Sequence, residues 1–268
     1  MLELPKEFGV VWVVGLLTGV YGGIASFFSI IEYPENFTVA QVTILSILML
    51  IAHALPTEAK ITKFLGVNYW YAIIFRFTLS IIFAFLLSVA FSSLGLLQEK
   101  IHVVDKIAFQ HTNSYLEVIT TPITISAKVG LIIIILHILI EFLKKIKIIY
   151  YLELMLSPIT YILKFNNKLS SSLLVGLLLG ISYGGALLMK DFDEIKSVNF
   201  RGKKKVIYFL NLVHSLVEDT ILVLLINANL FVVLIGRILF SILILMLLNI
   251  YWGISESNVD MTPRKNLQ

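Results

Sequence analysis

The sequence predicts an all-α polytopic membrane protein with two inverted three-helix repeats, about seven or eight transmembrane helices and glycine-broken helices. Composition and an internal duplication predict this fold. The 268 residues are 58% hydrophobic and 14% charged, with a mean hydropathy of +0.93. A soluble domain usually carries about 25% charged residues. One core cannot bury so much apolar surface, so lipid must solvate much of it.

The second half of the chain repeats glycines and charged residues of the first half at a constant offset of 161 positions. Leucines would match by chance in so apolar a chain, whereas rarer residues in one ungapped register would not. Pairs at this offset include Gly15 with Gly176, Gly19 with Gly180, Glu32 with Asp193, His53 with His214, Glu58 with Asp219, and Arg76 with Arg237. Such a duplication is typical of transporters, whose site lies between the two copies.

Apolar segments divide the chain into four regions. Residues 8–97 form repeat 1 with three transmembrane helices, predicted over about 8–31, 38–55 and 69–97, with a polar link at 57–66. Residues 170–252 form repeat 2, with three transmembrane helices predicted over about 170–189, 206–226 and 230–251. Residues 98–169 are a connector, and residues 253–268 are a polar cytoplasmic tail.

The connector is expected to hold three different segments. In 98–124, Ile101, Val104, Ala108 and Tyr115 share one helical face, which predicts an amphipathic helix at the membrane surface. Residues 125–143 predict a transmembrane helix. The apolar run 148–163 is broken by Pro158 and is shorter than the roughly 20 residues of a straight crossing, so it either crosses with a kink or re-enters.

Basic residues predict the orientation, because they collect in cytoplasmic loops. Three basic regions are expected inside: 144–147, the loop 190–205 and the tail. If 148–163 crosses, both termini are cytoplasmic and the repeats are inverted; if it does not, the repeats are parallel and one basic loop is outside. We expect inversion, in the plasma membrane, or in the cell inner membrane of a bacterium.

Glycines cluster in the first predicted helix of each repeat. The candidate site residues among them are Gly19, Gly22, Gly23, Gly180, Gly184 and Gly185. One interpretation is close helix packing, because glycines four apart let another backbone approach. The other is a broken helix whose unwound turn presents backbone groups to a substrate.

Histidine and carboxylate residues lie together in the second predicted helix of each repeat. His53 precedes Glu58, and His214 precedes Glu218 and Asp219. On a continuous helix His214 and Glu218 would share a face, whereas Pro56 disturbs that spacing in repeat 1. Three roles remain open: a metal site, a structural hydrogen-bonded pair, and substrate or proton handling.

Each third predicted helix carries one arginine, Arg76 or Arg237. A buried arginine costs about 2.5–3.5 kcal/mol on insertion scales unless it is paired or reaches the interface. The side chains could snorkel to the interface. Alternatively, Arg76 pairs with Glu58, and Arg237 pairs with Asp219 or Glu218.

In these motifs the chain resembles the nucleoside-recognition, or Gate, domain membrane proteins. That family includes the spore maturation membrane proteins, and related segments occur in ferrous iron transporter B. The resemblance rests on the glycine-rich stretches 15–23 and 176–185, on the two histidines and on the two arginines. It implies that the protein handles a nucleoside.

The sequence therefore predicts a transporter-like membrane protein that binds or moves a small polar or anionic solute where the inverted repeats meet. A nucleoside-like solute and a lipid headgroup are both candidates. The alternative is a non-transporting scaffold or assembly factor for an envelope process. No catalytic residues, metal ligands or cofactor are expected, and the protein is not expected to be an enzyme. Membrane lipid is an expected partner, a homodimer is allowed, and nucleic acid is not expected.

Overall fold

The computed structural model describes residues 4–101, 158–195 and 198–252, with isolated positions at 127, 131, 134, 135 and 138. Several predictions lie outside the described residues. These are the amphipathic helix beyond residue 101, the transmembrane helix at 125–143 apart from those isolated positions, residues 144–157 and the tail 253–268.

Five helices of repeat 1 recur as five helices of repeat 2 in the described part of the chain. Repeat 1 holds α1 (Lys6–Thr18), α2 (Val20–Ile30), α3 (Val39–Ile51), α4 (Leu55–Phe64) and α5 (Tyr69–Leu94). Repeat 2 holds α6 (Ser170–Leu179), α7 (Ile181–Glu194), α8 (Phe200–Val213), α9 (Glu218–Leu224) and α10 (Arg237–Trp252), the last preceded by a π-helical turn at Val232–Gly236. The predicted all-α fold is confirmed.

Helices α1 and α2 fold back on each other at Gly19. This glycine has φ 102° and ψ 175°, a backbone region that is essentially restricted to glycine. The rings of Phe8 and Phe27 are 5.9 Å apart although 19 positions separate them. The helices are therefore antiparallel. At 1.5 Å per residue each is about 16–20 Å long, well short of the roughly 30 Å hydrocarbon layer.

Helices α6 and α7 form the equivalent hairpin around Gly180, with φ 90° and ψ 169°. Ser172 Oγ donates to Asp191 Oδ2 at 2.6 Å across the hairpin. A Cβ built on Gly184 would overlap the Cα of Gly176, so these two backbones can touch only because residue 184 is glycine. Glycines pack the two arms together, and the helices are broken as the second interpretation requires, whereas presentation of backbone groups to a substrate stays a prediction. The single helices predicted over about 8–31 and 170–189 are wrong, because each of these stretches forms a helical hairpin.

A second break separates α3 from α4 and α8 from α9. Ala54 and Ser215, 161 positions apart, both have a left-handed backbone, with φ 44° and φ 50°. The polar link predicted at 57–66 is wrong, because this segment lies in α4. Pro56 is compatible with the helix there because the first turn does not need its missing N–H.

The basic loop predicted at 190–205 is also shorter than expected. Helix α7 continues to Glu194, and α8 begins at Phe200 because the Asn199 side chain accepts from Gly202 N–H as its N-cap. Lys205 is buried and donates to the carbonyls of Leu163 and Lys164 at 2.8 and 3.3 Å.

Four helical stretches in the described residues are long and apolar enough to cross a membrane. They are Val39–Phe64, Tyr69–Leu94, Phe200–Leu224 and Val232–Trp252. Val20–Ile30 and Ser170–Leu179 are shorter apolar helices.

The chain forms two compact units that do not coincide with the two repeats. Unit 1 comprises Met1–Leu55, Phe77–Leu143 and Asp219–Val233, and unit 2 comprises Pro56–Arg76, Lys144–Glu218 and Leu234–Gln268. Helix α4 of repeat 1 thus belongs to unit 2, and nearly all of α9 of repeat 2 belongs to unit 1. Each unit contains helices of both repeats.

Hydrogen bonds within each unit hold the helix that is exchanged between the repeats, which is α9 in unit 1 and α4 in unit 2. In unit 1 the backbone N–H of Asn229, in the link that follows α9, donates to Thr43 Oγ1 of α3 at 2.9 Å. In unit 2 Thr62 Oγ1 of α4 donates to Asn211 Oδ1 of α8 at 3.2 Å, and both groups are buried. Because a buried polar group is costly without a partner, these bonds favour the exchanged arrangement.

Candidate functional site

The two predicted histidines occupy the same position at the end of α3 and α8, and their rings are held in the same way. His53 Nδ1 lies 3.0 Å from the carbonyl oxygen of Met49, and His214 Nδ1 lies 2.8 Å from that of Leu210. A carbonyl can only accept, so each Nδ1 carries the hydrogen and donates it. Each Nε2 is therefore left to face the site.

Each Nε2 faces a carboxylate that comes from the other repeat. In unit 1, His53 Nε2 lies 3.5 Å from Asp219 Oδ2. In unit 2, His214 Nε2 lies 3.1 Å from Glu58 Oε1. The two acids are equivalent in the duplication, so the exchange of α4 and α9 creates two reciprocal histidine–carboxylate pairs. His214 and Glu218 do not share a face of one continuous helix, because α8 ends at Val213 and α9 begins at Glu218.

The tip of each glycine hairpin is tied to the helix break beside the histidine. The backbone N–H of Ala54 donates to Gly15 O at 3.1 Å in unit 1, and that of Ser215 donates to Gly176 O at 3.4 Å in unit 2. A Cβ built on Gly19 would lie 3.9 Å from Ala54 Cβ, and one built on Gly180 would lie 2.6 Å from Ser215 Oγ. Hairpin tip, helix break and histidine–carboxylate pair therefore form one site in each unit.

The two predicted arginines are buried, with 1% and 0% of their surface exposed for Arg76 and Arg237, so snorkelling is wrong for both. Arg76 Nη1 donates to Glu58 Oε2, which confirms the predicted salt bridge. Arg237 donates to the carbonyls of Leu212 and His214 at 2.7 and 2.9 Å. Those carbonyls are available because α8 ends there and leaves its last acceptors without helical partners.

The remaining predicted glycines are packing positions. A Cβ on Gly23 would lie 2.5 Å from Met49 Sδ, and one on Gly185 would lie 3.1 Å from Ile61 Cγ2 of α4. A Cβ on Gly22 would overlap the Thr18 hydroxyl of its own hairpin. Gly19 and Gly180 are thus the predicted glycines that lie at a hairpin tip.

Several residues of the site escape sequence reasoning. Ala54 and Ser215 occupy equivalent left-handed positions, but their side chains differ, so only the register of the duplication relates them. Thr220, directly after Asp219, is buried, and its hydroxyl has no hydrogen-bond partner among the described residues. Its equivalent in repeat 1 is the apolar Ala59, so comparing the repeats cannot find it.

Long apolar helices, exposed apolar side chains along α5 and α10, and buried ion pairs define the class of this chain as an all-α membrane protein. The chain is similar to the uncharacterized membrane protein YvoD of Bacillus subtilis (strain 168). The two are 24% identical over 259 residues, which cover 94% of this chain and 80% of the relative. No family model matches the chain, so the resemblance to the Gate domain proteins stays a prediction. No solved structure matches it either.

Proposed function

We propose that this protein is a membrane transporter that binds a small polar or anionic solute at the glycine hairpin tips. One observation carries the proposal: a hairpin tip, a helix break and a buried histidine–carboxylate pair meet in both units, at the 161-residue offset. A duplicated assembly of costly polar groups in an apolar chain is typical of a transport site.

The hairpins support this proposal through the cost of irregular backbone in lipid. Non-helical backbone at membrane depth is tolerated where protein buries it or where it lines a water-filled cavity. The arms of each hairpin are too short to span the hydrocarbon layer, so the tips at Gly19 and Gly180 would lie inside it. Unwound turns of this kind present backbone groups to substrates in transporters with discontinuous helices.

The charged side chains favour a solute with an anionic or strongly polar group. In unit 2 the two arginines, Arg76 and Arg237, are fully buried, whereas Glu58 and Glu218 are half-buried, so the most deeply buried charges are cations. In unit 1, Thr220 adds a buried hydroxyl beside Asp219. A nucleoside-like solute or a lipid headgroup would supply matching donors and acceptors. The scaffold alternative would use two contact surfaces, the amphipathic segment 98–124, which lies almost wholly outside the described residues, and the basic loop 190–205.

The hairpins also change the proposed orientation, because a hairpin that re-enters adds no crossing. We take one crossing each for α3 with α4, for α5, for α8 with α9 and for α10. For 125–143 we keep the sequence-based expectation of one crossing, and for 148–163 we adopt the re-entrant alternative. This count places 144–147, Arg201, Lys203 and the tail on the cytoplasmic side. The acidic turn containing Glu32 and Glu35 is then outside. The repeats stay inverted, but the N-terminus is outside rather than inside.

Uptake into proteoliposomes tests the proposed function. The probes are radiolabelled uridine, inorganic phosphate and glycerol phosphate, each measured against protein-free vesicles. Gly19→Ala and Gly180→Ala should abolish uptake of the transported probe, because alanine cannot adopt the tip conformation without strain. Gly9→Ala is the matched control, since a Cβ there meets nothing within 4 Å and should leave uptake unchanged. If folded wild-type protein moves none of the probes, the proposal is overturned in favour of a scaffold.

A further inference from the structure

We infer that the proton is the coupled ion of this protein, bound by the His214–Glu58 pair and by its counterpart His53–Asp219. The inference deepens the proposed transport function and rests on it. Each of the two pairs would bind one proton from one side of the membrane and release it to the other side. No covalent bond other than the bond to that proton forms or breaks.

Counting hydrogens in the unit 2 pair shows that it has a place for one proton. His214 Nδ1 already donates to the carbonyl of Leu210 at 2.8 Å, so a neutral ring has only a lone pair on Nε2. Glu58 Oε1, 3.1 Å from that lone pair, is also an acceptor when ionised. Two acceptors cannot bond at this distance. The observed contact therefore requires one proton, either on Nε2 or on the carboxyl group.

The unit 1 pair has the same donor and acceptor groups at a longer distance, which a shared proton would shorten. His53 Nδ1 donates to the carbonyl of Met49, and Nε2 lies 3.5 Å from Asp219 Oδ2. His53 and Asp219 are both buried, with 5% of each residue exposed. Bulk water therefore cannot substitute for the missing hydrogen. The duplication thus contains two proton sites built from the same backbone bonds.

The charged groups that face each pair differ. Glu58 on α4 is also contacted by Arg76 on α5, and Arg237 on α10 binds the backbone carbonyl of His214. In unit 1, His53 and Asp219 are the buried titratable residues among the described positions. Protonation therefore neutralises the unit 1 pair, whereas it adds a positive charge in unit 2, where two arginines are fully buried and Glu218, four residues after His214, is half-buried. A proton bound in unit 2 should thus favour an anionic solute, and by linkage the solute should favour the proton.

Loss of the proton would act on the hairpin tip through the backbone. Without it, the lone pairs of Nε2 and Oε1 repel each other, and the pair separates. Ser215, the next residue after His214, holds Gly176 of the hairpin by a 3.4 Å hydrogen bond. Movement of the histidine would therefore loosen the bond between the helix break and the hairpin, which links proton release to opening of the proposed solute site.

Nitrogen NMR of the histidines tests the proton sites without any solute. Protein labelled with ¹⁵N-histidine in lipid nanodiscs is titrated from about pH 5 to about pH 8, the range in which histidine commonly titrates. His53→Asn and His214→Asn identify the two signals among the five histidines. We expect Nδ1 to carry a hydrogen at every pH. As the pH rises, Nε2 should reversibly lose the chemical shift of a charged ring if the proton lies on Nε2. If the proton lies on the carboxyl group, Nε2 should instead lose the chemical shift of a hydrogen-bonded lone pair. A hydrogen fixed on Nε2, or a signal that never changes, overturns the inference.

Amide variants isolate the exchangeable proton. In Glu58→Gln and Asp219→Asn, the amide N–H₂ can donate to Nε2, so the pair is kept without a titrating proton. The pH response of His214 should vanish in the first variant and that of His53 in the second. Asp219→Asn also keeps the test valid if Glu58→Gln, which removes the partner of Arg76, does not fold. A response that survives in the folded amide variants overturns the inference.

Flux measurements separate the inference from the proposed function. With the membrane potential clamped by valinomycin and potassium, a gradient of about one pH unit should support about tenfold accumulation of a transported probe for each coupled proton, hence about hundredfold when both pairs load one. Pyranine inside the vesicles should report proton entry in step with that probe. Solute uptake without proton entry would overturn the inference and leave the transporter standing. A normal NMR titration with no uptake of any probe would leave the proton sites standing and overturn the transporter, and with it the coupling.

Discussion

The two histidine–carboxylate pairs share one backbone but differ in their surroundings. In unit 2, His214 lies 3.1 Å from Glu58, which also binds Arg76. In unit 1, His53 lies 3.5 Å from Asp219. The equivalent arginine of repeat 2, Arg237, holds the carbonyls at the end of α8. Duplication has thus kept the geometry that orients each ring, while the charges around the rings have diverged.

The backbone of the two repeats is more alike than their side chains. Left-handed residues recur at the same offset, as Gly19 with Gly180, Ala54 with Ser215, and Gly66 with Asn227. The last two pairs differ in residue type, yet the chain takes the same conformation. The side-chain caps recur as well: Asn68 accepts from Tyr71 N–H and Asn229 from Val232 N–H, at 3.1 and 3.2 Å. The difference between the units must therefore be sought in charge and packing, and two measurements test it, while a third tests the orientation of the repeats.

The largest difference is expected when each carboxylate is removed. Glu58→Ala leaves the buried Arg76 without this carboxylate, which should cost about 3–5 kcal/mol of the free energy of unfolding. Asp219→Ala should cost about 1–3 kcal/mol, because His53 can lose its proton and stay neutral. Steric trapping in bicelles measures both values. Equal losses would show that the two pairs are electrostatically alike, contrary to this comparison.

An intermediate difference is expected between the two hairpins. In Gly184→Ala the new methyl group meets the backbone of Gly176, which cannot yield easily, so we expect a loss of about 1–3 kcal/mol. In Gly23→Ala it meets the end of the flexible Met49 side chain, so the loss should be smaller. Thermal unfolding of both variants in one detergent makes the comparison. A larger effect for Gly23→Ala would contradict the described packing.

The smallest effect on stability comes from topology probes, which should leave the free energy of unfolding unchanged. The chain has no cysteine, so single cysteines can be introduced without other changes. Glu35→Cys should react with an impermeant maleimide added to intact cells, and Lys204→Cys should react only after permeabilisation. A Glu7→Cys variant that is protected in intact cells would disprove an outside N-terminus and restore the sequence-based orientation.

Much of the site could be predicted from the sequence because its components are costly in lipid. His53, His214, Arg76 and Glu58 were identified as rare polar residues in apolar stretches, and the Arg76–Glu58 salt bridge follows from their proximity along the chain. The partner of each histidine could not be predicted. It comes from the other repeat, and an ungapped duplication does not reveal which copy supplies it.

By itself the sequence determines a helical membrane protein, its duplication and the glycine-rich stretches at which the first predicted helix of each repeat can break. Hydrophobicity and the backbone freedom of glycine are local properties, so they can be recognised without knowing any contact. Only the tertiary structure decides that the chain reverses at Gly19 and Gly180, because reversal depends on contacts between the two arms. It also decides the exchange of α4 and α9, because that depends on which unit offers Glu58 and Asp219 a buried histidine.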